Sequence, residues 1–500
     1  MIYQGTEMTE SHALPRWAAA LALFVMLMLM YGGWYPGANE EVYLTLAMEQ
    51  AGSFEGGDIL SQGQYYGTSF AFNNTAGHLL KYFGLETGRI ILLVLIGLLF
   101  SWNLVRIVDA VQRRKGARSG PEILLYIAVF ILLGQAIVGE EWIFLGVESK
   151  AFAYVFLLYS LRYVLERKLL WAVIAGSLVM PFHILVGGWW LAVLFPVILF
   201  DRHAGTLLRR IGILLPGLII PAATVVLLLL SHPEVLSGSG NPVANEIYVK
   251  LRNPHHLTLF WPIGPFIYER FPAFVFYVIS IAVGFLLGRH TLRNDHLIAR
   301  EYGFVMIALS AVLTVTLIVS LVDIRFMVSK YYLFRLAALH LLLTIVGLGV
   351  VVKQHFGARA LLPAGYALIA LVVAGMALRN GAEQRNSHEE SLRYAPMIEY
   401  IRGQTPAEAR LLVLSEEDID RPLSFTRKAQ RRRYVLHKMP PALAGQIIRW
   451  YDRIQLKQRI LDGETELIGT LDEVEYILSD RRLDERPAEY TANGLYLYRK

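Results

Sequence analysis

No cysteine occurs in the 500 residues, which excludes disulfide frameworks, thiolate nucleophiles and cysteine-ligated metal centres. Charge is scarce as well: Asp, Glu, Lys and Arg make up 18% of the chain against 55% hydrophobic residues, and the mean hydropathy is +0.44. That composition belongs to a polytopic membrane protein and leaves too little polar surface for a soluble enzyme. Walker-type phosphate loops, a Gly-x-Gly-x-x-Gly after a strand and a His-Glu-x-x-His helix are all missing, so nucleotide-driven transport and zinc peptidase chemistry have no support. There is no internal repeat and no low-complexity tract. The formal charge of +6 is read as the excess of Lys and Arg in cytoplasmic loops, not as an affinity for nucleic acid.

Apolar runs are what the chain has instead. Measured against the ~20 residues a helix needs to cross a bilayer, about eleven stretches qualify as spans. They are Trp17–Gly33, Ile90–Val105, Glu122–Val138, Ala151–Leu165, a pair within Leu169–Phe200, then Ile211–Leu230, Phe274–Leu287, Phe304–Leu321, Leu333–Val352 and Leu361–Leu378. The pair is broken at Pro181-Phe-His183 and again near Gly187-Gly188. Loops after even-numbered spans are basic (Arg106, Arg113, Arg114, Lys115, Arg118; Arg167, Lys168; Arg202, Arg209, Arg210; Arg289, Arg293, Arg300; Lys353, Arg359), whereas the first two opposite loops carry acids. This alternation predicts a cytoplasmic N-terminus, a retained first helix and an outward C-terminus in a bacterial-type inner membrane.

Two outer loops are long: 34–89, which opens on Glu40-Glu41, and 231–273, which contains Asn253-Pro-His-His256. From Arg379 the composition becomes that of a soluble domain. Ser391–Ile401 and Ala442–Ile460 read as helices, and Leu411–Leu414, Arg433–Leu436, Val474–Leu478 and Leu495–Tyr498 read as strands, the last entered through Asn493-Gly494. The fold class expected is thus an all-α polytopic membrane domain (1–378) of about eleven transmembrane helices plus a small C-terminal α/β domain (379–500) outside the membrane.

Ionisable groups next to spans are costly and mark function by default. Those at the outer boundary are Glu40 and Glu41; Glu140, Glu141, Glu148 and Lys150; His183; His255 and His256; and Asp323, Arg325, Lys330 and Arg335. Arg335, inside an apolar run, is the hardest to explain by solvation. Its fork together with Lys330 suits a phosphate, and a phosphate held at a membrane surface belongs to a phospholipid or a polyprenyl phosphate. His255 or His256 suits acid–base work, metal ligation or a turn cap. Arg427-Lys428 and Arg431–Arg433 read as a solvated basic face able to meet anionic head groups or an acidic glycan.

A multi-spanning core, a long first outer loop headed by an acidic pair (Glu40-Glu41) and an outward α/β domain together resemble the GT-C superfamily of integral membrane glycosyltransferases. Asn253-Pro-His-His256, Phe334-Arg335-Leu336 and Thr405-Pro-x-x-Ala409 are also similar to a poorly characterised bacterial membrane-protein family, to which no reaction is attached. The GT-C resemblance implies transfer from a polyprenyl-phosphate sugar donor to a glycan, lipid or protein acceptor. Glu41, with Glu40 as partner, would be general base or ligand of a divalent cation (Mg or Mn). Lys150, Arg325, Lys330 and Arg335 would stabilise the leaving lipid phosphate. The pair here is Glu-Glu where an Asp-containing pair is common, and Glu140-Glu141 competes for the catalytic role. A lipid-linked glycan flippase and a non-enzymatic component of envelope polysaccharide assembly are the rival readings.

Overall fold

In the computed structural model, the residues described are 14–54, 69–112, 118–119, 122–231, 241–258, 260, 262–293, 298–356, 358–415, 424–437, 441, 443–483 and 486–500. Arg113, Arg114 and Lys115, named above, lie outside them. The chain is a multi-pass bundle of apolar helices capped by a small mixed sheet. Among the described residues five helices are long and apolar enough to cross a membrane: Leu85–Val111, Leu207–Ser231, Phe266–Arg293, Arg300–Val322 and Gly365–Gln404. Shorter apolar helices, Arg16–Tyr31, Glu122–Leu132, Leu169–Phe182, Ile184–Phe200 and Ala337–Lys353, pack among them.

Four helices matter for the site. We label Arg16–Tyr31 α1, Ala38–Gln50 α2, Leu85–Val111 α3 and Ala358–Gln404 α4. The first long loop is therefore not extended chain: it holds α2 and a further helix, Phe70–Phe83, which pack on each other. The Leu169–Phe200 stretch breaks at Leu178 and His183, into Leu169–Ser177, Val179–Phe182 and Ile184–Phe200, and the break expected near Gly187-Gly188 is absent because both glycines lie inside the last helix. His183 sits at the second break, where its ring accepts from the Val186 amide at 3.4 Å. It caps the next helix, satisfying a donor that would otherwise be orphaned in a greasy environment.

The supposed boundary near 378 carries no change of element, because α4 runs for 47 residues through it. Its last turns form one layer of the C-terminal domain. Strands β1 (Arg410–Leu414), β2 (Arg432–Arg433), β3 (Tyr476–Ser479), β4 (Tyr490–Ala492) and β5 (Leu495–Arg499) lie in the order β2-β1-β3-β5-β4. β1 is parallel to both β2 and β3, and the β3-β5-β4 edge is antiparallel. Side chains alternate across a strand, so Leu411, Val413, Leu478 and Leu497 join Met397, Ile398 and Ile401 of α4. Leu412, Leu414 and Ile477 face the helix Ala444–Leu461 through Ile447, Trp450 and Ile460. Both faces are covered, which is why β1 reads as an unbroken apolar run.

The basic run after this sheet's first strand is not a solvated face. Arg431 is 5% and Arg433 7% exposed. Arg431 donates to the Thr405 carbonyl and hydroxyl (2.7 and 2.9 Å) and to the Arg402 carbonyl (2.8 Å), closing the C-terminus of α4.

Candidate active site

Glu40 and Glu41 stand in the first turn of α2, where carboxylates complement the helix dipole. Their surroundings differ completely. Glu40 Oε2 accepts from Arg89 Nη2 at 2.7 Å and from the Gly37 amide at 2.8 Å, while Oε1 accepts from Arg89 Nε at 3.1 Å and from the Val147 amide at 2.7 Å. Arg89, at the start of α3, spends its third nitrogen on the Gly33 carbonyl, 2.6 Å away. Both side chains are buried, and every oxygen of Glu40 is committed. Glu41 instead pairs through Oε1 with Nε of Arg427, a residue of the C-terminal domain, at 2.6 Å. Its Oε2 is buried with no partner.

The rival pair is also split. Glu141 Oε2 receives Arg335 Nη1 at 2.8 Å and Lys150 Nζ at 3.2 Å, and its Oε1 has no partner. Burial would raise the Glu141 carboxyl, but Arg335 and Lys150 outweigh it and hold the group below the ordinary range. Lys150 Nζ also sits 3.3 Å from the centre of the Trp142 ring, and the Arg335 guanidinium lies 4.1 Å over Tyr332. Glu140, by contrast, is exposed and held at φ +44°, a left-handed backbone that a non-glycine residue adopts only under constraint.

The residues expected to clamp a phosphate each have their own surroundings. Lys330 reaches Asn245 at 3.1 Å, Arg325 is exposed, and Arg335 is bound to Glu141. Asp323 forms no bridge to Arg325; it accepts from the Met327, Val328 and Ser329 amides at 2.7–2.9 Å and shapes the turn before the next helix. Those amides hold its carboxyl low against burial. His256 Nδ1 bonds the Gly139 carbonyl at 2.7 Å, so in the neutral ring this nitrogen donates. Burial pushes His256 down to about 4 against the pull of Glu141, and lowers His255 as well against Glu140.

A cavity of about 1110 Å³ opens beside α2. Its lining includes apolar residues, among them Ile131, Leu132, Leu371, Val372 and Met376, and ionisable ones, among them Glu140, Glu148, His255, Glu269, Arg270 and Arg379. Glu40 and Arg89 line it too, whereas Glu41 lies one position behind them, facing the C-terminal domain. Arg89, Arg270, Arg379 and Arg427 were missed as site residues. Arg89 looks like an ordinary charge at the start of an apolar helix, and its pairing across 49 residues leaves no local signal.

Among the described residues no group of three or more His, Asp or Glu gathers as a metal site. Glu40 has no oxygen to spare, and Glu41 and Glu141 each face a guanidinium, so these carboxylates do not fit a resident Mg or Mn ion.

No protein-family model matches the chain, and no curated protein matches it in sequence. Solved structures do match it in shape. The crystal structure of ArnT from Cupriavidus metallidurans bound to undecaprenyl phosphate superimposes with a TM-score of 0.50 at 13% identity, covering 97% of each chain. The Archaeoglobus fulgidus oligosaccharyltransferase complex with Zn and sulfate gives 0.45 at 13% identity, over 93% of this chain and 68% of that one. Its apo form gives 0.45 at 10% identity, over 93% and 69%. Both proteins are GT-C superfamily members. On the ArnT superposition, this chain has a GT-C fold.

Proposed function

We propose that the chain is a membrane glycosyltransferase that moves a sugar from a polyprenyl-phosphate-linked donor to an acceptor, on the membrane face carrying the C-terminal domain. In a bacterial-type inner membrane that is the outer face. The observation that carries this reading is the mixed lining of the cavity: apolar residues of the helices Glu122–Leu132 and α4 together with charged residues that include Arg270 and Arg379. An isoprenoid phosphate combines the same two characters. The ArnT structure, with the same fold, holds undecaprenyl phosphate.

In the reaction an acceptor hydroxyl attacks the anomeric carbon, the carbon–oxygen bond to phosphate breaks, and the polyprenyl phosphate leaves with one more negative charge. Glu41 takes the hydroxyl proton on Oε2, the oxygen without a partner. Arg270 and Arg379 meet the phosphate, ahead of Arg335, Lys150, Lys330 and Arg325. Glu40 holds α2 in place and takes no proton.

Native mass spectrometry of protein purified gently from its own membranes tests the donor. A co-purified polyprenyl-phosphate sugar is the result expected. Ordinary phospholipid alone would put a transporter or scaffold ahead. Glu41→Gln is expected to abolish transfer while the protein still inserts and elutes as wild type; near-normal transfer would remove Glu41 as the base.

A further inference from the structure

Glu41 is held from 386 residues away. Among the described residues its ion pair is to Arg427, and their side chains are 3% and 11% exposed. Gripping one oxygen of a carboxylate fixes the direction of the other. Arg427 thus does for Glu41 what two backbone amides and a bidentate guanidinium do for Glu40, with one difference: it leaves Oε2 without a hydrogen-bond partner. The arginine does not depend on this pairing for its place. It sits on the short helix Ser424–Ala429, in which Phe425 is 2% exposed and packs against Tyr394 of α4. The next residue, Lys428, bonds the Ser391 hydroxyl at 2.7 Å, and the Arg433 guanidinium lies 5.4 Å from the Phe425 ring centre.

We infer that Arg427 is a positioning residue for the transfer reaction, so that the active site is completed by the C-terminal domain and is not contained in the membrane helices alone. This rests on the reading of Glu41 as the base. The chemistry of α2 then depends on how the outer domain is seated, and a displaced domain leaves the base unaimed.

The test uses the full-length protein and the release of polyprenyl monophosphate from a panel of synthetic polyprenyl-phosphate hexose, pentose and N-acetylhexosamine, with total lipid and glycan extract as acceptor. Arg427→Gln is expected to lower kcat on the order of 10²-fold, the scale of a misplaced catalytic group, with donor KM within twofold, in protein that is fully folded at the assay temperature. Arg427→Lys should recover much of the loss, and Lys428→Gln should behave as wild type. Wild-type kcat in Arg427→Gln overturns the inference. So does a raised donor KM at constant kcat, which would make Arg427 a phosphate ligand. A fall in the folded fraction at the assay temperature that accounts for the loss overturns it too. No release by wild type from any donor overturns the transferase reading itself, and this assignment with it.

Discussion

Arg89 grips both oxygens of Glu40, at 2.7 and 3.1 Å, inside a pocket where neither side chain is more than 5% exposed. Removing one member of such a pair strands a charge away from water, which costs about 3–5 kcal/mol. Glu40→Gln and Arg89→Ala are therefore expected to lower thermal stability in detergent sharply. A Glu40→Gln protein as stable as wild type and devoid of transfer would move the catalytic role from Glu41 to Glu40.

Gly146 makes that pair possible. Its φ is +155°, and a Cβ placed there would come 2.5 Å from the Glu40 carboxyl carbon. Gly146→Ala must push Glu40 off Arg89 or lift Val147 from it, at a cost on the order of 2–4 kcal/mol. Differential scanning fluorimetry reads this directly; a Tm within a degree of wild type would show that the loop yields without strain.

Acid should act through His256. Its folded value of about 4 lies below the ordinary 6.5, so between those values the unfolded chain binds the proton and the folded one does not. The folded state is then favoured fully above pH 6.5 and loses on the order of 2–3 kcal/mol as pH falls to 4. Glu141 adds a loss of the same sign lower down: its folded value is depressed below 4.5, so its stabilisation is present above that pH and fades as pH falls further. His256→Gln should flatten the pH dependence of Tm between 6.5 and 4 and leave the lower limb. An unchanged slope would clear His256 of the effect.

Gly375 lines the cavity on α4, with open space where a Cβ would stand. Gly375→Trp should fill the apolar part without disturbing its neighbours. Donor KM is expected to rise at least tenfold, which corresponds to about 1.4 kcal/mol of lost binding, with Tm unchanged. Normal KM would place the isoprenoid elsewhere.

Composition made the membrane class legible, and the acidic pair with the C-terminal α/β domain made the GT-C fold legible. Leu411–Leu414 was readable as a strand because both of its faces are buried, leaving an uninterrupted apolar word. The strand Tyr490–Ala492 was not, since it is a three-residue edge with half-exposed side chains. Likewise α2 has little amphipathic pattern, being packed on several sides, so periodicity could not reveal it. The site was hardest. Arg427 sits in a basic run that resembles any solvated surface, and only its pairing with Glu41 distinguishes it. Lys330 and Arg335, five residues apart, looked like one clamp; the turn shaped by Asp323 sends them to Asn245 and Glu141 instead.

The length of α4 carries a last consequence. Forty-seven residues make a helix of roughly 70 Å, against a hydrocarbon layer of about 30 Å. More than half of it therefore stands in water. Near its middle Gln384 clasps the Tyr35 backbone twice, at 2.7 and 3.0 Å. Below that clasp the helix walls the cavity through Leu371, Val372 and Met376, and above it Met397 and Ile401 support the sheet. The element is a lever with its fulcrum on the first loop. Torque applied to the C-terminal domain is delivered, without any intervening linker to absorb it, to the wall of the cavity.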